Sequence, residues 1–201
     1  MSKEYQDINS KQTILQHGEG VRSKFIELLE YLESSNEDEY CHPIPKWLIQ
    51  YQSTLLPIIQ SNQTDIETYL FYHDCGKPFC LEIDIDGKRH FPNHATVSKY
   101  TFLKHSSNTF IADLIGKDML CHLTKAKDFE NLLDEEHIEI LLFSALAELH
   151  SNALMFGGFQ SDSFKIKFKN LEKLGQRILD SKYGSLKIQA KKFNQQLSYA
   201  F

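Results

Sequence analysis

The stretch Tyr69-Leu-Phe-Tyr-His-Asp-Cys-Gly-Lys-Pro78 joins a helical pattern to an enforced stop. Asp65 to Tyr72 reads as a short helix, and Gly76 and Pro78 end it, because glycine favours the conformation that closes a helix and proline cannot extend one. The adjacent imidazole and carboxylate of His73 and Asp74 therefore fall at a helix end. Beyond them, Leu81 to Phe91 alternates apolar and polar residues about Asp86-Gly87, the pattern of a small β-hairpin.

Outward from this segment the period changes to that of helices. Val21, Phe25, Leu28, Leu29 and Leu32 recur at three and four residues and predict one apolar helix face over about 12 to 34. Ser34 to Glu39 reads as a solvated acidic loop, and Pro43 and Pro45 keep the chain extended before Trp47. A second helix is expected from there to about 60, with a kink at Pro57. Further helices are expected near 94 to 105, 109 to 122, 126 to 132 and 135 to 155, and Gly157-Gly158 marks a break. The expected fold is all-α with one small hairpin: a domain over 1–158 and a basic helical appendage over 159–201 that packs on it.

The chain has 201 residues, enough to bury a core without disulfides. Apolar runs such as Ile138 to Ala147 fall far short of the roughly 20 residues needed to span a bilayer, so no membrane association is expected. The polar start, Met-Ser-Lys-Glu-Tyr-Gln-Asp, lacks the apolar stretch of a secretory signal, which predicts a cytoplasmic protein. Cys41, Cys75, Cys80 and Cys121 form no Cys-x-x-Cys pair and read as reduced thiols. The net charge of −5 argues against a general nucleic-acid surface. Residues 161–201 nevertheless hold nine basic side chains against three acids, leaving the remainder at −11. Within that segment Lys165-Ile-Lys-Phe-Lys169 alternates charge with apolar residues. The alternation suits an amphipathic strand or a solvated edge, and equally a substrate contact in which Lys165, Lys167 and Lys169 meet a phosphate backbone or a nucleotide.

His17, His73, Asp74, His94, Asp118, His122 and Glu148 supply imidazoles and carboxylates, which suit a divalent ion such as Mn, Fe, Co, Ni, Mg or Zn. Asp118 and His122, four apart, would share one side of a helix.

Residues Tyr69 to Val97 carry His-Asp-Cys-Gly-Lys-Pro, the Asp-Gly hairpin, and His90-Phe-Pro-Asn-His-Ala95. This stretch resembles the HD superfamily of metal-dependent phosphohydrolases, and in particular the HD domains attached to bacterial tRNA nucleotidyltransferases. The resemblance implies a helical fold holding one or two divalent ions, with His73 and Asp74 as ligands and His94 as the further histidine of two-ion members. It also implies that Lys77 faces the scissile phosphate, where positive charge steadies a developing anion. For the family's first histidine His17 and His42 compete, and His17 is preferred because it leads into a helical face. The family's late aspartate is missing from the helix ending at Glu148. Asp118 takes its place as oxygen ligand, or Glu148 does so with a longer arm. Glu148 could instead protonate the leaving group, a role served by a pKa raised toward neutrality.

The function these residues imply is hydrolysis of a phosphomonoester or phosphodiester, in a nucleotide, a cyclic nucleotide or an RNA end, by metal-activated water. The alternatives are a non-catalytic metal- or nucleotide-binding module and a nucleic-acid adaptor, with RNA contact through 161–201.

Overall fold

Thr13 and Gln16 start the first long helix with a reciprocal cap: the Gln16 amide donates to the Thr13 hydroxyl and the Thr13 amide donates to the Gln16 side-chain oxygen. The computed structural model describes residues 5–7, 12–34 and 40–198, with side chains at 12–34 and 40–185. Helix α1 spans Ile14–Ser34 and follows a two-stranded pairing of β1 (Tyr5–Asp7) with β2 (Gln12–Thr13). It buries His17 along with the expected Val21, Phe25, Leu28, Leu29 and Leu32. Most of the expected acidic loop, residues 35–39, lies outside the described residues.

Helices α2 (Lys46–Gln50), α3 (Gln52–Ser61) and α4 (Gln63–Tyr72) follow. Pro57 lies inside α3, and the expected kink falls instead at Tyr51, whose φ and ψ of −112° and 14° leave the helical region. Its buried ring sends the hydroxyl to Asp180.

The expected hairpin is present, with β3 (Glu82–Ile83) paired antiparallel to β4 (Arg89–His90). Helix α5 (His94–Leu103) begins after Asn93, which takes a left-handed φ of 53°, a conformation asparagine tolerates better than most residues. The single helix expected over 109 to 122 is two, α6 (Thr109–Lys117) and α7 (Leu120–Leu123). They part at Asp118, whose carboxylate is drawn inward to the Tyr69 hydroxyl. Ala126–Leu132 is a 3₁₀ segment rather than an α-helix.

Helix α8 (Ile138–Ser151) is buried almost all round, as a central helix must be, and meets α1, α3, α4, α7 and α9. Helix α9 spans Asp162–Ser198. The amphipathic strand considered for Lys165 to Lys169 is therefore replaced by helix. The Ser161 hydroxyl accepts from the Phe164 amide at the helix start, and Phe164, Leu171, Leu174 and Ile178 recur at helical spacing over a longer range than the local alternation. Those four side chains join the same apolar core as α1, α3 and α8. The fold is thus an all-α bundle with a small hairpin, and among the described residues no helix is long and apolar enough to cross a membrane. All four cysteines are free.

Candidate metal centre

Two close approaches set the geometry. A Cβ on Gly18 would lie 2.2 Å from the Phe71 carbonyl oxygen, so α1 and α4 touch backbone to backbone beside His17 and His73. A Cβ on Gly76 would lie 2.3 Å from the Ser98 amide nitrogen, and the Gly76 amide donates to the Ser98 hydroxyl at 2.9 Å. This contact presses the turn after Asp74 onto α5, the helix that begins with His94. Glycine is required at both positions because any side chain would part the elements.

His17, His73 and Asp74 meet in the space so formed, and all three are buried. One ligand atom from each lies within 4.8 Å of the others, and a second such group joins His73, Asp118 and Glu148. The His73 Nδ1 lies 2.7 Å from the Leu70 carbonyl oxygen, so Nδ1 carries the proton and donates it, leaving Nε2 turned into the cluster. His94 is held likewise, its Nδ1 donating to the Phe91 carbonyl at 3.0 Å while Nε2 sits 3.7 Å from Asp74 Oδ1. A single free nitrogen on His73 makes the two groups parts of one centre.

Both ring nitrogens of His17, Nε2 of His73 and Oδ1 of Asp74 are buried without a hydrogen-bond partner among the described residues. Buried polar atoms are rarely left so. One donor atom from each of His17, His73 and Asp74, of the types that bind transition metals, lies within 4.8 Å of the others, and such a set fits a cation better than it fits a core. Burial, with a smaller push from His73, lowers the His17 pKa to about 4. Its 3.6 Å approach to Asp74 is therefore made by a neutral ring, the form in which imidazole coordinates metal. Burial acts to lower His73 too, but Asp74, Asp118 and Glu148 outweigh it and raise it to about 10. Two buried acids and the partly buried Glu148 around one ring thus favour positive charge there.

Further side chains hold these in place. The Lys77 ammonium donates to Asp74 Oδ2 at 2.6 Å. Burial acts to raise Asp74, yet His73 and Lys77 hold its carboxyl well below the usual range. His122 Nε2 lies 2.8 Å from Glu148 Oε2. Burial would raise Glu148, but the charge and hydrogen bond of His122 keep it well below the ordinary carboxylate value. The raised pKa that a proton donor at 148 would benefit from is thus absent there, whereas Asp118 is raised, by burial and then by Glu148. Asp118 and His122 do not belong to one continuous helix. Asp118 caps α6, His122 belongs to α7, and they approach the centre from separate elements.

His42 lies elsewhere, 3.3 Å from the Lys24 ammonium and stacked near Phe159. Lys165, Lys167 and Lys169 are not brought together. A strand would align all three, whereas a helix turns Lys167 about 200° from Lys165. Lys167 lies over the Phe156 ring and lines a recess with His122, while Lys165 and Lys169 face solvent. The side chains of Lys187, Lys191 and Lys192, part of the basic segment, lie outside the described residues.

Sequence reasoning passed over Tyr69 and Ser98. The Tyr69 hydroxyl donates to Asp118 from a fully buried position. Its place four residues before His73 on α4 was the available signal, since such pairs share a helix face. Ser98 carried none, because its role depends on α5 meeting the turn at Gly76. No family model, curated protein or solved structure matches the chain.

Proposed function

We propose that the chain is an HD-type metal-dependent phosphohydrolase, acting on a phosphoester of a nucleotide, a cyclic nucleotide or an RNA end. One observation carries this reading: His17, His73 and Asp74 face one another buried, with donor atoms that nothing among the described residues satisfies. His17, His73, Asp74 and one of Asp118 or Glu148 would hold a divalent ion, with His94 at its edge. Such an ion, when bound, polarises a phosphoryl oxygen and acidifies water, effects worth several kcal/mol of barrier.

The chain's own groups do the rest. Glu148, kept ionised by His122, serves as an oxygen donor and not as a proton donor. His122 positions Glu148, and Tyr69 positions Asp118 through its hydrogen bond. Lys77, at 8 % exposure beside Asp74, offers a fixed positive charge to a phosphoryl oxygen where little water screens it. His94, half-buried at the start of α5, lies where a second cation or a substrate oxygen would be met.

The test is turnover of bis(p-nitrophenyl) phosphate by metal-free protein reloaded in turn with Mn, Co, Ni and Mg. Turnover in at least one metal, abolished in His73→Ala and Asp74→Ala, is expected. Stoichiometric metal binding without turnover of diester or monoester probes would make the chain a binding module. Absence of both would end the proposal.

A further inference from the structure

Between the C-terminal half of α4, the end of α5 and the start of α6 lies a cavity of about 370 Å³. Its size falls within the roughly 300–1,000 Å³ common for small-molecule sites. Tyr72, Cys75, Thr101, Phe102, Ser106 and Ile111 form most of its wall. None of the candidate metal ligands lines it, although Tyr72 and Cys75 flank His73 and Asp74 in the chain.

Three features define what it would accept. No Lys, Arg, Asp or Glu lines it and His105 is its one ionisable side chain besides Tyr72 and Cys75, so no fixed charge there balances a phosphate, carboxylate or ammonium. The Tyr72 and Phe102 rings stand 6.0 Å apart at 51° and bound it with aromatic surface against which a flat ring can lie. Polar groups with spare capacity meet at the same hollow. The Tyr72 and Thr101 hydroxyls and the His105 ring have no hydrogen-bond partner among the described residues, and the Ser106 hydroxyl accepts from the Asn108 amide while keeping its own proton to donate. Asn108 is fixed beside them, its oxygen taken by the Ile111 amide and its nitrogen by Asp65. The Cys75 thiol is turned away to the Ser98 carbonyl.

We propose that this cavity binds an uncharged heteroaromatic ring of the nucleobase class, at a site separate from the candidate metal centre. Aromatic walls supply stacking and shape, and the hydroxyls and His105 supply donors and acceptors to the ring's polar edge. An aliphatic ligand would leave those groups unused, and a charged one would be desolvated without compensation.

The probe is adenosine, titrated into the full-length protein by calorimetry and by amide chemical shifts. Saturable binding is expected, with the largest shifts between residues 101 and 111. Thr101→Trp, which fills the hollow, should weaken binding by more than about ten-fold, equivalent to roughly 1.4 kcal/mol. Ser106→Ala should weaken it several-fold, and both variants should keep the parent's cobalt absorption spectrum. No saturable binding at millimolar adenosine would overturn the proposal. So would unchanged affinity in Ser106→Ala together with shifts centred on Lys77 and His94, which would put the ring at the metal centre. If Thr101→Trp does not fold, the shift map and Ser106→Ala still decide. Loss of cobalt binding would count against the phosphohydrolase reading while leaving this one standing.

Discussion

Replacing His17 by leucine should stabilise the metal-free protein and abolish its response to metal. The ring is fully buried, neutral near pH 7, and neither nitrogen has a partner. Each unsatisfied buried polar atom costs about 1–3 kcal/mol, and leucine of similar volume removes both while adding up to about 1.5 kcal/mol of misfit. The net gain is therefore about 0.5–6 kcal/mol, or a rise of roughly 1–24 °C in Tm for a chain of this length. In the parent, a divalent ion at 100 times its Kd would add about 2.7 kcal/mol, and His17→Leu should show no such gain. Thermal unfolding of both proteins, in chelator and again in Mn or Co, measures all four quantities. A metal-free His17→Leu protein destabilised by more than about 1 kcal/mol would mean that the ring is held as part of the core. The argument from orphaned atoms would then be refuted.

Other expectations follow from the same geometry. Gly76→Ala would force a Cβ to 2.3 Å from the Ser98 amide nitrogen, so α5 must retreat by about 1 Å; a loss of about 1–3 kcal/mol in denaturant unfolding, with weakened cobalt binding, is expected. Leu174→Ala, fully buried in α9, should cost about 2–5 kcal/mol, and truncation before Asp162 should prevent cooperative folding, whereas an independent appendage would be lost without harm. The Tyr51 hydroxyl is raised to about 12 by burial and by its hydrogen bond to Asp180. A raised folded pKa means the stabilisation is whole below pH 10 and fades as pH climbs toward about 12. Tyr51→Phe should accordingly be less stable than the parent at pH 8, with the gap narrowing at alkaline pH; a constant gap would show that the bond is not the cause. Lys165→Ala with Lys169→Ala should weaken any RNA binding and reduce its salt dependence while leaving Tm unchanged within about 0.5 kcal/mol of stability.

Sequence alone determined the helical class, because apolar residues at spacings of three and four mark a buried helix face wherever they persist. It also determined the hairpin, since Asp86-Gly87 supplies the turn between alternating residues. His73-Asp74 at a helix end was legible for the same local reason, with Gly76 and Pro78 forcing the stop. What depended on distant parts of the chain was not legible. The break at Tyr51 and the parting of α6 from α7 at Asp118 both coincide with contacts to distant residues, Asp180 and Tyr69. Lys165 to Lys169 reads locally as a strand, yet the wider period of α9 overrides two residues' alternation once Phe164 and Leu171 are buried. Only the tertiary structure shows that packing at Gly18 sets His17 beside His73 while His42 lies against Lys24. It alone brings Glu148 within 2.8 Å of His122, 26 positions away in sequence, a contact that lowers its pKa and so favours the oxygen-ligand alternative over the proton donor. Periodicity is a property of neighbouring residues, whereas desolvation and electrostatic partnership arise between residues that meet only when the chain has folded.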